Sequence, residues 1–477
     1  MSARLRPLSL ALIIAGFSAQ ASATDLVQAY DLARRSDPQF SAAEAQKYAT
    51  GEGTVQSRAA LLPQISADAT YGTGTSSSSG NSVLAGVPTP LNSTYSDSSS
   101  RSSGVNVRQT IYDHANYTRL GASRARARAA EADYDSAADA LIVRVADAYF
   151  NVLTAIETLA SSRAEERSVK RQLDQADKRL EVGLAPITDV HEARARFDSA
   201  RANAILQATA LEDAYEALAE TTGERLTNLK GLAADFRPEN ADSKTIEEWV
   251  AIALASNPAL RSRAEALAAA EKDVATARAA HYPTLSATAS YGDDASWGGS
   301  VRRAPLDQVT GLPVDTNFGN ASTGPRYGIT LSVPIFSGFA TQSRVRQALY
   351  TRDAVADQLE QQKRAITRAT RGAYRNLISG AAEIEARRLA VVSAQAAYEA
   401  GEAGLEVGTR TIVDVLIAQQ QLFLAQREFA RARHAYLVNV LRLKQAAGIL
   451  EASDLEAVNR SLVADADAAL QTGERAE

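Results

Sequence analysis

LEVGLAPITDV at residues 180–190 returns as LEVGTRTIVDV at residues 405–415. In each copy a helical run ends at Gly183 or Gly408, and a second helical run begins a few residues later. Glycine suits the left-handed residue that stops a helix, and Pro186 suits the first turn of the next one. The two stretches therefore read as the tips of two helical hairpins of one design. LLPQISA (Leu61–Ala67) has its counterpart in HYPTLSA (His281–Ala287), Asp37-Pro38 in Asn257-Pro258, Tyr71-Gly72 in Tyr291-Gly292, Ala148-Tyr149 in Ala373-Tyr374, and Gly223 in Gly448. The offset is roughly 220 residues and drifts by about five, inside a polar segment where insertions cost little. The chain is two copies of one unit: helix, strand, long polar loop, strand, very long helix, tight turn, helix.

The runs leading to the tips are unusually long. Asp113 to Val182 contains no Pro and one Gly, and Phe339 to Val407 no Pro and few Gly, in a background of Ala, Arg, Glu and Gln. Such composition predicts continuous helices on the order of 100 Å long at about 1.5 Å per residue. Leu141, Val145, Ala148, Val152, Ala155 and Leu159 recur at steps of four and three, a coiled-coil seam with small residues that allow close approach. Arg124, Arg126 and Arg128 look basic, but their spacing sends them to different sides of a helix, a solvated face.

Four segments alternate with period two. Ile65, Ala67, Ala69 and Tyr71 alternate with polar neighbours, as do Val105, Val107 and Ile111, then Leu285, Ala287, Ala289 and Tyr291, then Ile329, Leu331, Val333 and Ile335. Each is about nine to eleven residues, enough to cross a bilayer when tilted. Tyr71, Tyr112, Tyr291, Tyr327 and Phe336 sit at the ends, where an interfacial girdle places aromatic rings. Such strands also suit a half-buried sheet of a soluble domain, and the loops decide between the two. Thr73 to Ser103 and Asp293 to Pro325 are dominated by polar residues, Gly and Pro and cannot fold as domains, so they fit extracellular loops joining antiparallel strands. Four strands cannot close a barrel, and open edges are not tolerated in lipid. Three chains give twelve strands, the smallest symmetric closure that leaves a lumen.

Arg4 and Arg6 precede an apolar stretch from Leu8 to Phe17, and Ala21-Ser22-Ala23 closes it as a cleavage site, so residues 1–23 read as a secretory signal peptide. Its removal changes the formal charge from −5 to −7, which leaves no basic bias toward nucleic acid. The chain has no Cys, which excludes disulfides, thiolate metal sites and a lipidated Cys. His114, His191, His281 and His434 are scattered without ligand spacing, and no nucleophile elbow, phosphate loop or paired-carboxylate motif is present, so neither an enzyme nor a cofactor is expected. An exported scaffold has no use for four matched strands, and a periplasmic adaptor would show a single hairpin.

AYFNVLTAIETL (Ala148–Leu159), RQLDQADKRLEVGLAPITDV (Arg171–Val190) and VGTRTIVDVL (Val407–Leu416) resemble the TolC family of outer-membrane efflux and secretion proteins, over about Thr24 to Ser453. The resemblance implies an α+β membrane protein: a homotrimer with a twelve-stranded outer-membrane barrel, four strands from each chain, continued by a long helical coiled-coil barrel in the periplasm. It implies an equatorial girdle from Glu224–Thr245 and Leu450–Ala466, and an acidic tail beyond. The domain reading is then a first repeat over 24–245, with strands about 62–72 and 104–112 and helices about 113–182 and 186–222. A second repeat covers 246–448, with strands about 283–292 and 327–336 and helices about 338–407 and 411–447, and residues 449–477 close the chain.

Family members are passive exit ducts that dock on a periplasmic adaptor and an inner-membrane transporter, ABC or proton-driven, for type I secretion or drug efflux. The resemblance puts the docking tips at Gly183, Leu184, Gly408 and Thr409. Gate links would join Thr188 and Asp189 to Arg410, with Gln172, Glu402 and Arg433 as a neighbouring set. The lumen constriction would lie at Asp414, with three carboxylates repelling one another, and at Ile417. Leu405 stands where the family has a gate Tyr, and Ile417 where it has a second Asp.

Overall fold

The structure, a computed structural model, describes residues 24–84, 87–233, 236–238, 244–303 and 314–465. The signal peptide reading and the tail beyond Asp465 lie outside the described residues. The chain forms two compact units, one of residues 1–45, 132–261 and 361–477, the other of residues 46–131 and 262–360.

The first unit is helical with a small sheet. It holds α1 (Leu26–Ser36), α4 (Ile187–Thr222), α5 (Ile246–Ser256), α8 (Ile412–Ala447), α9 (Ala452–Asn459) and the larger parts of α3 (His114–Glu181) and α7 (Ala340–Glu406). The duplication is visible in the caps. Asp25 and Gln28 form a capping box at α1, and Thr245 and Glu248 form one at the corresponding α5. The Asp37 and Asn257 side chains then accept from the Phe40 and Leu260 amides at 3.2 and 3.3 Å, opening α2 (Pro38–Ala59) and α6 (Pro258–Ala279) with Pro at the first helical position. The expected leading helix of each repeat is thus two helices.

The predicted seam is the core of this unit. Leu141, Val145 and Val152 are fully buried, with Tyr149, Ile156, Leu218, Leu441 and Trp249 around them. Tyr149 Oη lies 2.8 Å from the Lys230 carbonyl and 3.1 Å from that of Thr24. It pins to α3 a two-stranded sheet of β3 (Lys230–Leu232) and β6 (Leu462–Asp465), against which Thr24 makes a parallel bridge to Leu229. The described parts of Glu224–Thr245 and Leu450–Ala466 thus meet one another in this sheet, with the chain at Thr24 beside Leu229 and the Leu26 amide donating to Asn459.

The second unit holds most of α2 and α6, the remaining parts of α3 and α7, and a four-stranded antiparallel sheet in the order β1 (Gln64–Leu84), β2 (Val87–Tyr112), β4 (Thr284–Arg303), β5 (Val314–Ser332). These strands are about twice the expected length. Thr73–Ser103 and the described part of Asp293–Pro325, expected as loops, are paired strand: Thr73 opposes Ser99, and Asp293 opposes Thr323. The reason is that pairing uses backbone groups while the sequence signal uses side chains; where both faces are polar the alternation vanishes but the ladder continues. Ser76···Ser96 and Ser300···Thr316 hydroxyl contacts, both 2.7 Å, replace apolar cross-strand pairs. Nearer the helices the apolar side chains are laid bare: Ile65, Tyr71, Tyr327, Ile329 and Leu331 are all exposed. β1 and β5 each have one neighbour and one open edge. Among the described residues no helix is long and apolar enough to cross a membrane.

Candidate gate and docking site at the hairpin tips

At the first tip, the Gly183 amide donates to the Leu180 carbonyl at 2.9 Å and the Leu184 amide to Arg179 at 2.8 Å. At the second, Gly408 donates to Leu405 at 3.2 Å and Thr409 to Gly404 at 2.8 Å. Both glycines have φ +76, the left-handed conformation that closes a helix, and both face open space. The tips share a backbone and differ in chemistry. Val182, Leu184, Ile187 and Val407 are exposed, Leu184 and Val407 at 74% each, while Thr409 Oγ1 turns back to the Gly404 carbonyl at 3.1 Å. Pro186 is the N-cap of α4 and gives it no side-chain cap; Thr411 and Asp414 supply α8 with a capping box. Behind the tips Val169, Leu173, Ala176, Val190, Ala193, Ile412 and Leu416 form a second, smaller core.

Within one chain the predicted gate residues are only partly brought together. Thr188 and Asp189 lie in the first turn of α4 and Arg410 just before α8, yet among the described residues no ion pair joins Asp189 to Arg410. Gln172 is buried on α3. Glu402 is exposed on α7 and accepts a hydrogen bond from Tyr398. Arg433 does not join them. It lies about 30 Å along α8 from Asp414 at about 1.5 Å per residue, where its guanidinium is 3.4 Å from Glu157 on α3. Sequence likeness reports a residue type at an aligned position, and only the packing of α3 on α8 shows which carboxylate faces it.

Asp414 and Ile417 are exposed on the same side of α8, Ile417 at 44%. Asp414 is not poised to gain a proton in the single chain. The Thr411 amide and hydroxyl donate to its Oδ2 at 3.0 and 2.8 Å, and these bonds hold its carboxyl below the ordinary carboxylate value. This cap acts within every chain, whereas repulsion among three carboxylates acts between chains.

Three links went unread in the sequence. Arg427 on α8 pairs with Glu165 on α3 at 2.8 Å, both largely buried. Gln419 on α8 donates to Ser168 on α3. Tyr398 on α7 stands at the same place, its phenol pushed up to about 12 by burial and by the Glu402 carboxylate, with Ser168 in hydrogen-bonding reach. A Tyr is thus present beside Glu402 although position 405 is Leu. The available signal was spacing: Gln419, Arg427 and Arg433 recur on one face of α8 among apolar residues, where polar groups need partners. Among the described residues no cluster of His, Asp or Glu could hold a metal ion.

The profile of the outer membrane efflux protein family matches residues 29–224 and 249–449. The chain is 34% identical over 469 residues to the outer membrane protein TolC of Escherichia coli strain K12, covering 96% of this chain and 89% of that protein. It is 29% identical over 447 residues to the alkaline protease secretion protein AprF of Pseudomonas aeruginosa, covering 93% and 88%. Among solved structures, the CmeC outer membrane channel of Campylobacter jejuni matches with a TM-score of 0.71 over 92% of this chain and 90% of that one; at 19% identity this is a likeness of fold.

Proposed function

Because the chain belongs to the outer membrane efflux protein family, we propose that it acts in the outer membrane as the exit duct of a type I secretion or efflux system, a passive conduit without catalysis. The observation that carries this is the sheet: two open edges and a bare apolar face, on a chain whose helices reach 68 residues. Open edges cannot persist in lipid, so chains must join β5 to β1 of a neighbour until the sheet closes. Three chains give twelve strands. The exposed tips at Gly183–Leu184 and Gly408–Thr409 are then where a periplasmic adaptor, carrying an inner-membrane ABC or proton-driven transporter, engages. Asp189 and Arg410, apart within one chain, are read as a link between neighbouring chains that holds the gate. Asp414 and Ile417 are read as facing the lumen. Residues 1–23 serve as the export signal, and the transporter, not this chain, selects the cargo.

Mass measurement of the detergent-solubilised protein, followed by conductance in planar bilayers, tests the proposal. A trimer that conducts is expected, retained in carbonate-washed outer membrane. A monomer or dimer that conducts equally well overturns it.

A further inference from the structure

A cavity of about 640 Å³ opens in the helical unit where α5, α7, α8 and α9 meet the chain at Phe236 and Arg237. None of the residues read as gate, tip or barrel lines it. Its volume falls within the range of small-molecule sites, roughly 300 to 1,000 Å³.

The floor is apolar. Trp249, Leu377, Leu437, Leu443 and Val458 line it, each less than a tenth exposed. Trp249 is 2% exposed, and among the described residues its indole Nε1–H reaches no acceptor. An indole nitrogen only donates, and a buried one normally finds a partner. The ring is held in place from its own backbone: the Trp249 amide donates to the Thr245 carbonyl at 3.1 Å, in the turn that the Thr245–Glu248 capping box closes. Lys244 Nζ lies 5.3 Å from the ring centroid, a cation over the indole.

The rim is basic. Arg237, Lys444 and Arg460 line the cavity, and Asp454 is the one carboxylate among the lining residues. That carboxylate is engaged, with Lys444 Nζ 2.6 Å from Asp454 Oδ1. Two exposed guanidinium groups are left over the apolar floor, Arg237 ahead of α5 and Arg460 at the C-cap of α9. Glu385 is near enough to Arg237 to feel its charge, but Arg388 donates to both of its oxygens, at 2.7 and 2.9 Å. Guanidinium N–H groups match the two oxygens of a carboxylate, so this rim selects for an acid and repels a cation.

We propose that this cavity binds a compact amphipathic carboxylate. The apolar body rests on Trp249, Leu437, Leu443 and Val458, the carboxylate meets Arg237 and Arg460, and Trp249 Nε1–H donates to an oxygen of the ligand. A bound molecule ties α5, α8 and α9 together and so stabilises this unit. The site stands apart from the conduit reading and does not rest on it.

The chain has two tryptophans, so Trp297→Phe leaves Trp249 as its single indole reporter. Adamantane-1-carboxylate is a suitable probe, since it neither absorbs with indole nor forms micelles. Added to the detergent-solubilised Trp297→Phe protein, it should shift the Trp249 emission along a saturating curve and raise the thermal midpoint. Adamantan-1-ol, the same cage without charge, should bind about tenfold more weakly, and adamantan-1-amine, a cation, more weakly still. Arg237→Gln with Arg460→Gln should cost the carboxylate about tenfold in affinity and leave the alcohol unchanged. Ala457→Phe, at an exposed lining position on α9, should block both. Helical circular dichroism is read first for every variant; where the double Arg variant does not assemble, each single one should still show a several-fold loss for the carboxylate alone. A carboxylate response that is absent or does not saturate, that equals the response to the alcohol and the amine, or that survives the Arg changes in folded protein overturns the proposal.

Discussion

Replacing Arg427 by Met should weaken the α3–α8 seam by about 2 to 3 kcal/mol per chain, working from a fully buried pair at roughly 3 to 5 kcal/mol. Arg427 Nη1 is 2.8 Å from Glu165 Oε2, with side-chain exposures of 17% and 12%. At that separation and an effective dielectric of about 20, the gross attraction is about 6 kcal/mol. Desolvation of both groups offsets much of it, and the residual exposure discounts the rest, but removing only the cation leaves the Glu165 carboxylate buried without its partner. The comparison that isolates this is a double variant, Glu165→Met with Arg427→Met, in which apolar groups of similar length fill the seam. Thermal unfolding of the detergent-solubilised protein, followed by helical circular dichroism, should show a lower midpoint for the single variant and recovery of at least half the loss in the double. Equal destabilisation in both would mean that packing volume, not the unpaired carboxylate, sets the stability of the seam.

Gly408→Trp should leave assembly intact, since a Cβ at this position meets no atom within 4 Å, yet lower export several-fold, because φ +76 strains any L residue and a bulky ring blocks the tip; normal export would remove the tips as docking site. Asp414→Asn should abolish most of the cation preference measured as reversal potential in asymmetric salt, and Ile417→Asp should strengthen divalent block. An unchanged reversal potential in Asp414→Asn would place that carboxylate outside the lumen. Asp139, pushed up to about 6 by burial and by Asp135, disfavours the folded state increasingly as pH rises from about 4 to 6 and by a constant amount above that, so Asp139→Asn should stabilise at pH 7 and be neutral near pH 4. Glu157 has the opposite sign: its lowered pKa contributes stability above the ordinary value of 4.5 that is lost as pH falls through the folded value, so Glu157→Gln should cost more at pH 7 than at strongly acid pH.

The sequence by itself determined what depends on local chemistry and its repetition. Gly183 and Gly408 announced the two turns because few other residues enter a left-handed cap, and the Pro-free runs before them announced α3 and α7 because helix propensity sums along a chain. Period two revealed the strands only where one face is apolar, so Thr73–Ser103 was legible as polar but not as strand. The partners across the seam were set by tertiary structure alone. Arg433 could be aligned to a gate but not assigned to Glu157, and Tyr398 could not be placed beside Glu402 and Ser168, because such contacts depend on the rotation of each long helix about its axis and on its register against the next. Over a helix of 68 residues a small change in either moves every polar side chain to a different neighbour, and the packing of Leu141, Val145, Val152 and Leu441 in the core is what fixes both.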